Sequence, residues 1–380
     1  MARGDIGRPR VAEFFAGAGL VGMALEEEGC EVVFANDHAE IKRTLYAANL
    51  DASHYVLSDI RDFDAADVPS VDIATASFPC TDLSLAGGRE GLEGKESSII
   101  WNFIRILDEM DGRRPPVVML ENVPGFLTSN SGRDLRDTIA ALNDMGYICD
   151  VLALDARRFV AQSRLRVFVV ASLVPLTSPG DWSTNEHRPK QVVKFVESHP
   201  GLILQAARLE ALPDHRDTLT DVVESLPPND QRWWGSQRLD AFLGSLSGIQ
   251  DDRLQLLRQS ERIHYAAAYR RTRHGKAVWE IRSDEISGCL RTARGGSSRQ
   301  ALVEAGRGEV RVRWMTAREY ARLQGAPSFE FGGASENQAK FAMGDAVCVP
   351  AVAWLARNYL VPLVQGSLTA NPRRQTLAHA

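Results

Sequence analysis

Two hydrophobic rhythms alternate along the first 170 residues. Short apolar or β-branched runs at 11–15, 31–35, 71–77, 117–120 and 167–171 predict buried strands. Between them, stretches such as 21–28, 99–110 and 135–145 carry the apolar spacing of amphipathic helices. Strands alternating with helices predict an α/β fold whose mostly parallel sheet is covered on both faces. Ligands of such sheets bind beyond the carboxyl ends of the strands.

That rhythm fades after about residue 172. Residues 173–235 hold many prolines and polar residues, and residues 258–313 are strongly basic, from Arg258 and Arg262 through Arg270, Arg271, Arg273 and Lys276 to Arg311 and Arg313. Tyr265, Tyr269 and Trp279 are interleaved with these cations. Helical periodicity returns at 316–324 and again after Pro350. The expected organisation is a first domain over 10–172, a second, smaller and irregular region over 173–312, a segment at 313–365 returning to the first domain, and a frayed tail at 366–380.

Composition narrows this picture. The 380 residues exceed one core of ordinary size, and 44% hydrophobic with 24% charged residues is the mix of a globular protein. With no run of 18 apolar residues and no apolar signal-peptide core at the N-terminus, a cytoplasmic protein without a membrane span is expected. The net charge of −5 does not advertise nucleic-acid binding, which would have to use a local basic surface. The five cysteines (30, 80, 149, 289 and 348) are odd in number and widely spaced, so neither a disulfide framework nor a metal site is expected. Cys30, Cys149, Cys289 and Cys348 are read as small buried hydrophobes.

Candidate chemistry gathers at the predicted strand ends. Phe15-Ala16-Gly17-Ala18-Gly19 is a glycine-rich strand-to-helix turn, which lets a ligand approach the backbone. Asp37 follows about twenty residues on, where a carboxylate can hold ribose hydroxyls, and Asp59 is placed to accept from an adenine amino group. Together they indicate a nucleoside cofactor. Cys80, in Ser77-Phe78-Pro79-Cys80-Thr81-Asp82-Leu83-Ser84, follows a buried strand in a loop opened by proline; nucleophile and packed thiol are equally compatible with this segment alone. Glu121, in Glu121-Asn122-Val123, is either a reacting carboxyl or a turn carboxylate. In Gln162-Ser163-Arg164-Leu165-Arg166 the two arginines are expected on one face of an extended stretch.

In this order, Phe-x-Gly-x-Gly, Pro-Cys, Glu-Asn-Val and Gln-x-Arg-x-Arg resemble the DNA cytosine-5 methyltransferases. Thr316-Ala317-Arg318-Glu319-Tyr320-Ala321-Arg322-Leu323-Gln324 and Gly344-Asp345-Ala346-Val347-Cys348-Val349-Pro350 resemble that family's two C-terminal segments. The resemblance covers roughly residues 10–172 and 311–362. It implies a Rossmann-like S-adenosylmethionine-dependent methyltransferase fold with a target-recognition region between the two motif groups. It also implies methyl transfer to carbon 5 of a flipped-out cytosine in double-stranded DNA, S-adenosylhomocysteine as product, Cys80 as nucleophile, and Glu121, Arg164 and Arg166 as its catalytic partners. The cofactor would be held by Phe15, Ala16, Gly17, Gly19, Leu20, Asp37, His38, Asp59, Ile60, Pro79, Asp345, Ala346 and Val347.

DNA contacts are expected from Ser84 and Asn122, and from the glycine-arginine loop through Arg291, Arg294, Gly295, Gly296, Ser297 and Arg299. A monomer is expected, with a separately encoded restriction endonuclease as a further partner. A tRNA cytosine-5 methyltransferase and a catalytically silent DNA-binding regulator are the rival readings; retention of Cys80, Glu121 and Arg166 argues against the second. The sequence departs from the family pattern at Thr81 (usually Gln), His38 (often Trp), Glu96 (usually Arg) and Asp345 (usually Asn).

Overall fold

The computed structural model of the chain describes residues 7–79, 92, 97–273, 275–291 and 299–368. The chain divides into two compact units. The first holds β1 (Arg10–Phe14), α1 (Leu20–Glu27), β2 (Glu31–Asp37), α2 (Glu40–Ala47), β3 (Tyr55–Leu57), β4 (Ile73–Ala76), α3 (Ile100–Glu109), β5 (Val117–Asn122), α4 (Arg133–Asp144), β6 (Ile148–Asp155), β7 (Leu165–Ser172) and α5 (Lys190–Ser198). Its seven strands form one sheet in the order β3-β2-β1-β4-β5-β7-β6. β1 is parallel to β2 and β4, β2 to β3 and β4 to β5, while β7 runs antiparallel to β5. The expected α/β fold with a mostly parallel sheet is therefore observed.

The apolar runs explain the layering. All six residues of β5 are buried, as a strand covered on both faces requires. α3 turns Ile100, Phe103, Ile106 and Leu107 inward, and Phe103 meets Phe14 of β1 edge to face with ring centroids 5.0 Å apart. The strand order changes direction between β1 and β4: the chain builds outward through β2 and β3, then returns to lay β4 on the other side of β1. Loops leaving these neighbouring strands diverge and open a crevice at their carboxyl ends.

The second unit comprises residues 155–164 and 214–350. It contains α6 (Leu219–Val222), α7 (Ser236–Leu243), α8 (Gly248–Gln259), β8 (His264–Arg273), β9 (Lys276–Ile281), β10 (Ala301–Gly306), β11 (Glu309–Trp314), α9 (Ala317–Leu323) and α10 (Glu336–Asp345). The four strands pair antiparallel in the order β11-β10-β8-β9. One face of the sheet packs Ala266, Ala268, Val303 and Val312 against Phe242 of α7 and Leu254 of α8. An irregular region was expected here. The period-two alternation is real, but small alanines supply its inward positions and arginines crowd its outward ones, which disguises the strands.

The domain limits also need correction. Residues 173–213 belong to the sheet unit and 313–350 to the second unit. The first stretch is tied to β6 by a buried ion pair, Arg188 Nη2 to Asp150 Oδ2 at 2.6 Å, with Ala207 N donating to the same oxygen. After α10 come α11 (Val349–Leu355), a π-helical turn (Ala356–Leu360) and α12 (Val361–Val364). The helical stretch Glu336–Val364 is apolar enough to cross a membrane by length and composition, yet 67% of its apolar window is buried inside the protein.

Candidate active site

The glycine-rich turn leaves β1 with three residues at positive φ: Phe15 (56°), Gly17 (58°) and Gly19 (85°). Gly19 is the left-handed residue that caps α1; a Cβ there would lie 2.7 Å from both Leu50 Cδ1 and Tyr46 Cδ2. At Gly17 a Cβ would meet nothing nearer than Phe15 O at 3.9 Å, so the space beside this turn is open. Asp37 ends the neighbouring strand. Buried to 4% exposure, it accepts from Gly17 N (3.1 Å), Ala39 N (3.0 Å) and Lys42 Nζ (3.3 Å), so the acid both faces the turn and braces it. His38 beside it is exposed.

Asp59 caps the short helix after β3 through Arg61 N, and the hydrogen bond from the Arg61 guanidinium holds its carboxyl down at about 2. Ile60 and Leu20 are core residues, which leaves only their backbone available to a ligand. An open glycine turn, an adjacent buried carboxylate and an ionised second one fit a nucleoside whose hydroxyls and amine seek acceptors.

One residue here was overlooked in the sequence. Glu13 lies in β1, 1% exposed, and burial pushes its carboxyl up to about 8 against a smaller opposing pull from the Gly22 backbone. The available signal was a lone acid inside an apolar run, two residues before the turn.

At the carboxyl end of β5, Glu121 Oε1 accepts from Arg166 Nε at 2.9 Å, with the two side chains 8% and 12% exposed. The antiparallel register explains the encounter: Glu121 lies opposite Phe168, and Arg166, two residues from Phe168, shares its face. Asn122 is 2% exposed; its Nδ2 donates to Phe78 O (3.1 Å) and its Oδ1 accepts from Val123 N (2.8 Å). With both ends of the amide engaged, the residue anchors the segment that leads through Pro79 toward Cys80. Cys80 itself lies outside the described residues, as do Ser84, Arg294, Gly295, Gly296 and Ser297.

Arg164 departs from the expected pairing with Arg166. It belongs to the second unit, is 2% exposed, and donates to Leu290 O (2.8 Å), Ala346 O (2.6 Å) and Gly344 O (3.2 Å). Gln162 joins the same knot, donating from Nε2 to Leu323 O (2.7 Å) and accepting from Leu290 N (3.0 Å), while Gln324 Nε2 donates to Met343 O (2.6 Å) and Ala346 O (3.1 Å). These side chains splice four segments of the second unit together. Gly325, at φ 79°, lets the chain turn there; a Cβ would strike Pro350 Cδ at 2.2 Å. Ala346 and Val347 lie in the spliced segment and Asp345 is an exposed residue at the end of α10. Arg291 is exposed, and Arg299 donates to Asn337 Oδ1 at 2.9 Å.

Cys30, Cys149 and Cys348 are buried, as expected, and Cys289 is half-buried beside Arg164. Burial pushes the Cys30 thiol up to about 11 and Cys149 higher still, which suits packing rather than nucleophilic roles.

Comparison with known proteins agrees with this arrangement. The family model of the C-5 cytosine-specific DNA methylases matches residues 9–360. The type II methyltransferase M.Bsp6I of Bacillus sp. (strain RFL6) is 31% identical over 164 residues, 42% of this chain and 51% of its own length. M.HhaI of Haemophilus parahaemolyticus is 28% identical over 162 residues, 42% of this chain and 48% of its own. The chain thus spans about half the length of these curated relatives. Among solved structures, the Entamoeba histolytica methyltransferase EhMeth superposes with a TM-score of 0.63 at 14% identity, over 96% of this chain and 99% of its own. The S. pombe Dnmt2 methyltransferase does so with a TM-score of 0.57 at 18% identity, over 95% and 99%. Glycine turn, buried acid–arginine pair and a family match over nearly the whole length agree: this chain is a member of the C-5 cytosine-specific DNA methylase family.

Proposed function

We propose that the protein transfers the methyl group of S-adenosylmethionine to carbon 5 of a cytosine in double-stranded DNA. The observation that carries this reading is the buried Glu121–Arg166 pair at the end of β5, beside an asparagine that anchors the approach to Cys80. When bound, the cofactor supplies an electrophilic methyl on a sulfonium centre.

Carbon 5 of cytosine is a weak nucleophile. Addition of the Cys80 thiolate at carbon 6 makes carbon 5 electron-rich enough to attack a methyl group. Glu121 shares a proton with ring N3 during that addition, and Arg166 donates to the cytosine O2 where negative charge builds. Transfer of the carbon 5 proton to water then re-forms the 5,6 double bond as the carbon 6–sulfur bond breaks and the Cys80 thiolate leaves. The base must leave the helix to reach these groups, at a cost of about a few kcal/mol. Arg164, bound to main-chain carbonyls, acts as a positioning residue in this reading.

Phe15, Gly17, Gly19, Asp37 and Asp59 hold the cofactor, and a monomeric chain accompanied by a separately encoded endonuclease belongs to the same reading. Incubation with tritiated S-adenosylmethionine and either duplex DNA or tRNA tests it. Label in DNA, recovered as 5-methylcytosine and abolished in Cys80→Ser while DNA binding persists, is the expected result. Label confined to tRNA, or in neither substrate, overturns it.

A further inference from the structure

Carboxylates of the second unit offset five of the arginines in its basic stretch. Arg271 and Arg273 face Glu280, Arg282 faces Asp284, Arg311 faces Glu304 and Arg313 faces Glu319. Arg238, Arg270 and Arg299 have no carboxylate partner among the described residues.

Arg238 and Arg270 line one open cavity of about 260 Å³ whose wall is aromatic. The Arg238 guanidinium lies 4.0 Å from the ring centroid of Trp234 and 5.0 Å from that of Trp314. Trp279, opposite Arg270 in the β8–β9 register, completes the floor 5.4 Å from Trp234. Desolvation lowers the Arg238 pKa, and repulsion from Arg270 and Arg299 lowers it further, so the three cations share one field. Trp234 adds a buried indole N–H with no acceptor among the described residues. Convergent unpaired cations above aromatic faces match a strand of nucleic acid, which offers phosphates to the first and sugar or base surface to the second.

We propose that Arg238 and Arg270, on the tryptophan floor of the second unit, dock the phosphodiester backbone of DNA. The inference rests on the DNA-methylation reading and extends its DNA contacts beyond the glycine-arginine loop. Each phosphate neutralised releases condensed counterions, so this contact carries a salt signature.

Binding of a labelled duplex to the full chain is measured between about 50 and 200 mM salt. The double variant Arg238→Ala/Arg270→Ala is expected to weaken binding roughly tenfold or more and to flatten the slope of log affinity against log salt by about two. Arg273→Ala, whose charge Glu280 already offsets, is expected to stay within about twofold. Calorimetric binding of S-adenosylmethionine verifies that each variant is folded. An unchanged slope in a folded double variant overturns the docking site while DNA methylation stands. A wild-type chain that binds no duplex at all overturns both.

Discussion

The two units use family-signature residues in opposite ways. In the sheet unit, Asp37, Glu121 and Arg166 stand at strand ends, gathered where a ligand can reach the sheet edge. In the second unit, Gln162, Arg164, Glu319 and Gln324 turn inward and spend their polar groups on backbone, on each other or on Arg313. Arg313 is 0% exposed and paired with Glu319; Glu319 also accepts from Thr316 N and from Glu224 N. A charged signature residue is therefore no guide by itself to chemistry. Its partners decide: a carboxylate beside an open turn can meet substrate, and a guanidinium holding three carbonyls cannot without releasing them.

The largest test of this contrast is Arg313→Ala. Removing one partner of a buried ion pair strands Glu319, and a loss of about 3–5 kcal/mol is expected in denaturant unfolding. A loss under about 1 kcal/mol would mean that the pair is not architectural. Glu121→Gln probes the other side. Methyl transfer is expected to fall at least ~100-fold while S-adenosylmethionine binding changes little, because the amide keeps the shape and loses the proton chemistry. Transfer at near wild-type rate would remove Glu121 from the mechanism.

Glu13→Gln is expected to act on stability through pH. The folded carboxyl holds its proton up to about 8 against an ordinary value of 4.5, so the stability this proton contributes is present below 4.5 and lost as pH rises through 8. The glutamine variant should match wild type near pH 4.5 and exceed it increasingly as pH rises toward 9, read as Tm across that range. Parallel pH profiles would contradict an uncharged, buried Glu13. The smallest effect is Thr316→Ala, which removes the side-chain cap on Glu319 N at the start of α9 and should cost about 1 kcal/mol in thermal unfolding, with unaltered cofactor affinity.

Much of the sheet unit was legible in the sequence. Apolar runs and helical spacing located α1, α3 and α4 to within about two residues, and glycines beside acids marked the open turn that Asp37 faces. β6 and α5 were passed over, the first because its apolar run adjoins the preceding helix and the second because it sits in proline-rich surroundings. The second sheet escaped for a different reason. Its buried positions are largely alanines, which carry little hydrophobic contrast, and its outward arginines resemble a solvated basic tract.

The sequence by itself determined the α/β class, the strand-end location of Asp37, Glu121 and Arg166, and the family, because periodicity and short motifs are local properties. Only the tertiary structure decided which polar residues meet. Register across β5 and β7 brought Arg166 to Glu121, and the folding of distant segments of the second unit onto one another drew Arg164 to the carbonyls of Leu290, Gly344 and Ala346. The two arginines are separated by one residue, and no local pattern distinguishes them. Buried donors must find acceptors wherever the fold supplies them, so their roles are fixed by contacts remote in sequence.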